Sequence, residues 1–527
     1  MKRGPSLDRW LALALLCVAV GALAFRLPRL DRRPMHNDEA VNAILFRGLW
    51  ERGTYRYDPD EYHGPTLHYA ALPFVALSGD KDFDHLSERT LRWVTVAAGV
   101  ALVLLVGLLR DGLGTTTTLV AACLLAVSPA MVFYSRYFIH EMLLVTFTLL
   151  FLGAAWRFRQ SSAAGWAAVA GAGLGLMHAT KETFVLQLAA MGLALAVSPR
   201  IGRRDLASPH DTPFPGNLRP FVLGLTVAAG VSVTLFTSFF THLRGPLDAW
   251  LTYLPWLRRA GGASPHLHPW TDYFERLFWH RAERGPIGSE IFVALLAVVG
   301  IGVALTGKGL GDTKPGLARF LAVYTVLITA VYCAIPYKTP WCLLNFLLPT
   351  LLLAGLGAAA LVRWAGTRPR QVAMSVVLAL GGIHLAWNAW RASQEFATHR
   401  GNPYAYAQTV PNAVELADRV KAIARVSPQG MQTEVKVVAP ESDYWPLPWY
   451  LRQLKTVWWL DRLPDDPYAP VMIVAARLRA GLDDRSNRRY LSVGYYELRP
   501  REFFELYVEF ELWKKFVETL PRPKDDE

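Results

Sequence analysis

Charged residues are scarce in this chain, and long stretches contain none at all. Asp, Glu, Lys and Arg make up 19% of the 527 residues, whereas hydrophobic residues make up 52%. Soluble globular domains average about 25% charged residues and at most ~50% apolar ones. The shortage of charge therefore argues against an ordinary soluble enzyme.

Cysteine is also scarce, and the motifs of several large enzyme classes are missing. The four Cys residues all lie in apolar runs without metal-ligand spacing, as expected of small buried side chains: Cys17, Cys123, Cys333 and Cys342. No P-loop, dinucleotide fingerprint, HExxH or GxSxG motif occurs in a credible context. ATP hydrolysis, redox chemistry and zinc proteolysis are therefore disfavoured.

Acidic residues are outnumbered by basic ones, which gives a formal net charge of +12 and a pI near 9.5. The basic residues are dispersed over the loops between apolar runs, and no nucleic-acid-binding motif accompanies them. Nucleic acid is thus not expected as a partner. Attraction to the anionic headgroups of membrane lipids explains the charge better.

Uncharged apolar runs dominate the sequence. They cover residues 10–25, 94–109, 115–134, 142–156, 160–180, 183–199, 220–243, 291–307, 320–337, 339–362 and 371–390. Most approach the roughly 17–25 residues that a helix needs to cross a bilayer. We expect an α-helical polytopic membrane protein with about eleven transmembrane helices. A further run, 63–79, contains two His and two Pro residues and predicts a re-entrant or interfacial helix.

The distribution of Arg and Lys predicts the orientation of these helices. With the N-terminus in the cytoplasm, most basic residues of short loops, such as Arg200, Arg203 and Arg204, fall on the cytoplasmic side. Arg26, Arg29, Arg32 and Arg33 disagree, but they lie in a long loop, which counts less. The expected location is the plasma (inner) membrane, with the C-terminal segment extracytoplasmic.

Composition changes after the last apolar run and suggests two domains. Residues 1–391 form the predicted transmembrane domain, with long outer loops at 26–93 and 241–290. Residues 392–527 form a predicted small α/β domain outside the membrane. In it we expect helices at 412–426 and 501–520, and strands at 434–439, 471–476 and 490–498.

The strongest candidate for chemistry is the acidic pair Asp38-Glu39, beside His36 in the first outer loop. Ionisable groups at the membrane boundary are functional candidates by default. The alternative is structural, because Asn37 or Asp38 can cap a helix beginning near Ala40, where Glu39 suits the helix dipole.

Two further polar patches share the predicted outer side. Residues 57–65, YDPDEYHGP, include His63 between helix breakers and predict a folded loop or a solvated turn. Residues 134–141, YSRYFIHE, contain Arg136, His140 and Glu141. Glu141 could serve as a second acid across a cleft from Asp38, or simply pair with Arg136 at the start of a helix.

Two more patches carry cations. Lys181-Glu182 lies between two apolar runs, where Lys181 could bind a phosphate and Glu182 could hold it, or the two could form a simple ion pair. Lys338 follows Tyr337 in the short turn PYKTPW and could balance a phosphate leaving group, or anchor the turn at the interface. The Trp- and Arg-rich loop 241–290 suits an aromatic belt or a groove for a polyprenyl phosphate.

Taken as a set, HNDEA (36–40), YDPDEYHGP (57–65), ATKET (179–183), YKTPW (337–341) and WPLPWYLR (445–452) resemble a known family. The chain is similar to GT-C integral-membrane glycosyltransferases of the dolichyl-phosphate-mannose protein mannosyltransferase type. It is most similar to the prokaryotic flippase-activity-associated family of archaeal N-glycosylation. Glu141 stands where Asp is common in the class, and HGP replaces the usual HPP.

The resemblance implies transfer of a sugar from a polyprenyl-phosphate-linked donor to an extracytoplasmic glycan, lipid or protein acceptor. Asp38, Glu39 and Glu141 would be catalytic. The donor or its phosphate would contact the remaining site residues: His63, Arg136, His140, Lys181, Glu182, Tyr337 and Lys338. No cofactor is implied beyond a possible divalent cation, held by Asp38 and Glu141. The alternative is a non-catalytic factor that assists the flipping of lipid-linked glycans, although transporters usually carry polar sites at the bilayer midplane.

Overall fold

The computed structural model describes residues 5–60, 63–200, 218–261, 266–278, 280–281 and 287–521. Its helices, in chain order, are α1 Pro5–Arg26, α2 Asn37–Arg52, α3 Thr66–Ser78, α4 Glu88–Leu105, α5 Arg110–Leu113, α6 Thr115–Val127, α7 Pro129–Tyr134, α8 Glu141–Ser161, α9 Ala164–His178, α10 Phe184–Val197, α11 Arg219–Phe236, α12 Gly245–Leu251, α13 Tyr253–Gly261, α14 Asp272–Phe278, α15 Ile291–Thr306, α16 Pro315–Ala334, α17 Leu344–Trp364, α18 Arg368–Trp390, α19 Pro411–Val426, α20 Leu447–Tyr450, α21 Leu482–Arg485 and α22 Phe510–Glu518. The strands are β1 His280–Arg281, β2 Ile287–Gly288, β3 Val435–Val438, β4 Val457–Leu460, β5 Val471–Ala475, β6 Tyr490–Arg499 and β7 Glu502–Glu509.

Within the described residues, 7 helical stretches are long and apolar enough to cross a membrane. They are Arg9–Arg26, Glu88–Leu113, Glu141–Ser161, Arg219–Phe236, Pro315–Ala334, Pro340–Trp364 and Arg368–Glu395. The other predicted spans fall on the shorter helices α6, α9, α10 and α15. A polytopic helical membrane protein is therefore confirmed, whereas the count of eleven stays a prediction. The predicted interfacial run 63–79 contains α3.

One predicted span, 115–134, is divided into α6 and α7. Ser128 separates them, and its hydroxyl accepts a hydrogen bond from the amide of Met131, while Pro129 occupies the first turn of α7. Proline suits that position because its missing N–H would have no helical partner there. The apolar run thus ends in a short buried helix just before the polar 134–141 segment.

The chain divides into two compact units. The helical unit comprises Met1–Leu30, Arg52–Gly79 and Arg89–Tyr406, and the sheet unit comprises Asp31–Glu51, Asp80–Glu88 and Ala407–Glu527. Two stretches of the predicted first outer loop therefore belong to the sheet unit. The division at residue 391 drawn from composition stays a prediction.

Glycines allow the helices of the helical unit to approach closely. A Cβ on Gly300 of α15 would lie 2.0 Å from the carbonyl oxygen of Leu353 in α17, and one on Gly357 would lie 2.0 Å from that of Leu296. Between α9 and α11, a Cβ on Gly171 would lie 2.1 Å from the carbonyl oxygen of Gly224. Small residues at such crossings are typical of helices packed in membranes.

The sheet unit contains a mixed five-stranded sheet in the order β4-β3-β5-β7-β6. Strands β4, β3 and β5 are parallel, and β5, β7 and β6 are antiparallel. The stretch 80–88 joins this unit through hydrogen bonds from Arg452 Nε to the carbonyl of Phe83 (3.2 Å) and from Trp449 Nε1 to Glu88 (2.9 Å). The small α/β fold predicted for the C-terminal segment is confirmed.

The helix predicted over 501–520 is wrong in its first half. Residues 502–509 form β7, which pairs with both β5 and β6, and α22 begins only at Phe510. Phe504, Leu506 and Val508 are fully buried at every second position, which is the period of a strand. Strand β4 was not expected either.

The glycine contacts yield a test of the helix packing. Gly300→Ala should lower the melting temperature of the detergent-solubilised protein, because its methyl group would meet a backbone oxygen that cannot move aside, at a cost of roughly 1–3 kcal/mol. Gly302→Ala in the same helix is the matched control, since nothing lies within 4 Å of its Cβ position. Equal melting temperatures for both variants would contradict the close α15–α17 contact.

Candidate active site

The turn that carries Lys181 and Glu182 lies between α9 and α10 and is held by the segment that precedes α3. The amide of Gly64 donates to the carbonyl of Thr180 (2.9 Å), and the amide of Thr66 donates to that of Ala179 (3.1 Å). A Cβ on Gly64 would lie 2.0 Å from the oxygen of Ala179. Only glycine fits there, so the HGP sequence docks the first outer loop onto the 179–183 turn.

Lys181 forms a buried ion pair with Glu141, the first residue of α8. The two residues are 5% and 1% exposed, respectively. Burial alone would lower the pKa of Lys181, but the carboxylates of Glu141 and Glu182 raise it above its ordinary value. The ammonium group is therefore charged, and its charge is balanced inside the protein.

Glu182 pairs with His63, whose Nδ1 lies 3.1 Å from its Oε2. Burial would raise the pKa of Glu182, but the nearby His63 and Lys181 outweigh burial and leave that pKa below its usual value. The His63 side chain is 32% exposed, whereas that of Glu182 is 4% exposed. A buried carboxylate thus orients a partly exposed imidazole.

His140 lies beside this dyad, with its ring 4.9 Å from that of His63. Its Nε2–H donates to the carbonyl of Gly64 (3.0 Å), and its Nδ1 has no hydrogen-bond partner in the described part of the chain. Burial holds the pKa of His140 well below its ordinary value, and neighbouring His63, His68 and Lys181 lower it further. The ring is consequently neutral near pH 7.

Two contacts extend the cluster to other elements. The thiol of Cys342, just before α17, lies 3.8 Å from Glu141 Oε1. The hydroxyl of Tyr253, at the start of α13, donates to the carbonyl of Glu182 (3.1 Å). We refer to Glu141, Lys181, Glu182, His63 and His140 as the ion-pair cluster.

The predicted cation Lys338 is buried at 1% exposure. Its ammonium group donates to the carbonyl of Ile335, at the end of α16, and lies 3.4 Å from that of His268. Burial lowers its pKa. Tyr337 beside it packs against His266, with ring centroids 5.1 Å apart. The role of both residues in phosphate binding stays a prediction.

Arg136 points toward the segment after α1. Its guanidinium donates to the carbonyls of Arg26 (2.6 Å), Pro28 (2.8 Å) and Arg29 (3.2 Å). Glu141 takes Lys181 as its ion-pair partner, so the alternative that paired Glu141 with Arg136 gains no support. A phosphate-binding role for Arg136 stays a prediction.

Asp38 and Glu39 open α2 in the sheet unit and lie in different environments. Glu39 is fully buried, 2.9 Å from Arg33, and accepts a hydrogen bond from the amide of His36 (2.9 Å). Glu39 thus satisfies an N–H group at the start of α2, as expected if it has a structural role. The Asp38 side chain is 44% exposed, 3.7 Å from His36 Nδ1. Asp38 and Glu141 belong to different units, so the cleft expected between them stays a prediction.

A divalent cation held by Asp38 and Glu141 also stays a prediction. Among the described residues, no group of three or more His, Cys, Asp or Glu side chains is arranged to hold a metal ion. The Glu141 carboxylate is already bound to an ammonium group. These side chains do not fit a metal ion as they stand.

Sequence reasoning did not single out three further residues that the structure brings into polar contacts: Cys342, Tyr253 and Glu290. Cys342 was expected to be a small buried apolar residue, and Tyr253 was considered only as part of loop 241–290, an aromatic belt or a groove for a polyprenyl phosphate. Glu290, which precedes α15, is buried and accepts hydrogen bonds from Ser128 Oγ (2.8 Å) and the amide of Ala130 (2.8 Å). Burial raises the pKa of Glu290 to about 7. Its position just before an uncharged run was the signal available for it.

Comparison with known proteins gives a family match over part of the chain. A family model described as dolichyl-phosphate-mannose-protein mannosyltransferase matches residues 63–213, which include every member of the ion-pair cluster. No curated protein sequence matches the chain.

Solved structures of low sequence identity share the fold. ArnT from Cupriavidus metallidurans bound to undecaprenyl phosphate matches with a TM-score of 0.61 at 14% identity, over 94% of this chain and 98% of that chain. Its apo structure matches with a TM-score of 0.60 at 16% identity, over 95% and 98% of the two chains. The apo Archaeoglobus fulgidus oligosaccharyltransferase matches with a TM-score of 0.53 at 13% identity, over 85% of this chain and 64% of that chain. The chain therefore shares its fold with these GT-C proteins and is a multi-pass membrane protein.

Proposed function

We propose that the protein is a glycosyltransferase that moves a sugar from a polyprenyl-phosphate-linked donor to an extracytoplasmic acceptor. The observation that carries this proposal is the ion-pair cluster, in which polar residues distant in sequence converge on one buried ammonium group, Lys181. Buried charges at a membrane boundary are costly to maintain and mark functional sites. The resemblance to ArnT, whose structure was solved with undecaprenyl phosphate, supports the same class of donor.

The exposed surface of helices α12 and α13 supports the proposal of a lipid-borne donor. Trp250, Leu254 and Leu257 are 65%, 54% and 60% exposed, so these helices present an apolar and aromatic surface. Trp and Tyr favour the headgroup level of a bilayer. Tyr253, on the same segment, contacts the carbonyl of Glu182, which suits a cluster at the depth of a lipid phosphate.

In the proposed reaction, the acceptor oxygen attacks the anomeric carbon of the donor sugar as the bond from that carbon to the phosphate oxygen breaks. The polyprenyl phosphate leaves with the bonding electron pair, and Lys181 stabilises the charge that develops on it. Asp38 accepts the proton of the acceptor hydroxyl. Glu182 orients His63 toward the donor, and neutral His140 fixes the loop through Gly64.

The structure favours transfer over transport in one respect. The hydrogen-bonded side chains that join α10, α16 and α17 are uncharged: Gln187 donates to Asn345 (2.7 Å) and accepts from Tyr324. Transporters usually place their ion and substrate sites near the bilayer midplane. Here the charged cluster lies at helix ends, a position that suits the phosphate of a membrane lipid.

Orientation can be tested directly. Alkaline phosphatase fused to the C-terminal end should be active, and a fluorescent protein that matures only in the cytoplasm should stay dark there, because the positive-inside pattern places this end outside. The same reporters inserted in the 199–219 loop are the control and should give the opposite result. A bright cytoplasmic signal at the C-terminal end would contradict the proposed topology.

The acidic pair allows a matched test of catalysis. Asp38→Asn should lower turnover by roughly two to four orders of magnitude, because it removes the base, and should leave the melting temperature unchanged. Glu39→Gln should instead lower the melting temperature, since it removes a carboxylate charge from beside the buried guanidinium of Arg33. Transfer of a labelled sugar, normalised to folded protein, decides between them. Near-normal turnover in Asp38→Asn would overturn its role as base.

Lys338 can be tested in the same assay. If it contacts the carrier phosphate, Lys338→Ala should weaken donor binding and slow transfer together, and Lys338→Arg should retain part of both. If it only closes the end of α16 through Ile335, Lys338→Ala should lower the melting temperature but not the activity of each folded molecule. Unchanged specific activity would leave only the structural role.

A further inference from the structure

The surroundings of Glu141 and Glu182 differ, although both carboxylates are buried near Lys181. Glu182 is held by His63 at 3.1 Å. Among the described residues, Glu141 accepts hydrogen bonds only from Lys181 and, weakly, from the thiol of Cys342 at 3.8 Å. Glu141 is therefore the carboxylate whose position depends almost entirely on Lys181.

The charge balance of the cluster excludes simple addition of a phosphate. Glu141 and Glu182 already face one permanent cation, Lys181, and His63 is already paired with Glu182. His140 is neutral, and Cys342 and Tyr253 bring no positive charge. A phosphodiester arriving beside Lys181 would place a third anion in a poorly hydrated site, where like charges repel strongly. An anion must leave Lys181 before the phosphate can bind it.

We propose that Glu141 is an internal substitute for the carrier phosphate, and that donor binding exchanges Glu141 for the phosphate on Lys181. This rests on the proposed function, because it assumes a polyprenyl-phosphate donor. Glu141 begins α8, so rotation of its side chain moves the carboxylate without moving the helix. In the donor-free protein it keeps the buried ammonium charged and in place.

The exchange also provides selectivity. A ligand must displace Glu141 from Lys181. The apparent affinity of the ligand is therefore the intrinsic affinity multiplied by the small fraction of molecules in which Lys181 is free. The polyprenyl tail gains affinity from apolar burial beside α12 and α13, which offsets that cost. Inorganic phosphate has no tail, and it should be excluded although it carries the same anionic group.

The test measures binding of undecaprenyl phosphate to the full-length protein in nanodiscs, by intrinsic tryptophan fluorescence. Glu141→Gln should bind it more tightly, by a factor within the roughly 5–150-fold range of coupled sites. Lys181→Gln should bind more weakly than wild type. Glu395→Gln is the control: it removes a carboxylate that pairs with Arg391 on the protein surface, and should bind as wild type does.

The double variant separates exchange from general repulsion between two anions. If Glu141 competes for Lys181, Glu141→Gln should bring no gain in the Lys181→Gln background. The same gain in both backgrounds, or no gain in either, would overturn the proposal. In a parallel experiment, millimolar inorganic phosphate should displace the lipid from Glu141→Gln but not from wild type; equal displacement from both would also count against it.

Two measurements keep the result unambiguous. If Glu141→Gln does not fold, Glu141→Asp replaces it, because the shorter side chain weakens the contact with Lys181. Glu141→Asp should give a smaller gain in affinity for undecaprenyl phosphate. Wild-type affinity in a folded Glu141→Asp variant would contradict the exchange. Transfer of a labelled sugar by wild type is measured separately. If wild type transfers sugar from none of the donors tried, the proposed function is overturned. If wild type is active but Glu141→Gln binds undecaprenyl phosphate with wild-type affinity, only the exchange is overturned.

Discussion

A buried ammonium group needs a counter-charge, and the arrangement of the helical unit near Lys181 follows from that need. Removing one partner of a buried ion pair typically costs about 3–5 kcal/mol, so the fold must deliver Glu141 to Lys181 with little freedom. The 179–183 turn is fixed by the main chain of Gly64 and Thr66, and Glu141 is fixed by the start of α8. Glu182, which could compete for the same cation, is directed to His63 instead.

Close helix packing makes this delivery possible. Glycines on α9, α15 and α17 let backbones meet at distances that any side chain would prevent, as at Gly171, Gly300 and Gly357. Helices packed this closely hold their ends in fixed positions, and the polar segments lie at those ends. Apolar burial drives little association of helices within a bilayer, so such contacts, together with hydrogen bonds like that between Gln187 and Asn345, must specify the bundle.

The sequence allowed the helical membrane fold and the convergence of several polar patches to be predicted, because long apolar runs and their flanking charges depend only on local composition. It did not reveal which partner each charge takes. An ion pair between Lys181 and Glu182, its neighbour in sequence, was one of two alternatives, but Lys181 pairs with Glu141, because pairing depends on which helix ends meet. The misassigned 501–520 helix has a similar cause: β7 alternates with a period of two, yet its pairing with β5 and β6 settles its structure.

Adjacent carboxylates with unlike surroundings show why residue type alone does not assign a role. Glu39 is buried with Arg33 and the amide of His36, so its carboxylate stabilises the start of α2. Few of its lone pairs are left to bind a substrate. Asp38 keeps nearly half of its side chain exposed. A general base must reach its proton, and a carboxylate already saturated by a guanidinium and an amide is a poor acceptor. The same reasoning applies to Glu141: it could act as a base or bind a ligand only after its release from Lys181. Only an incoming anion can take the place of Glu141 without leaving the ammonium group of Lys181 unpaired.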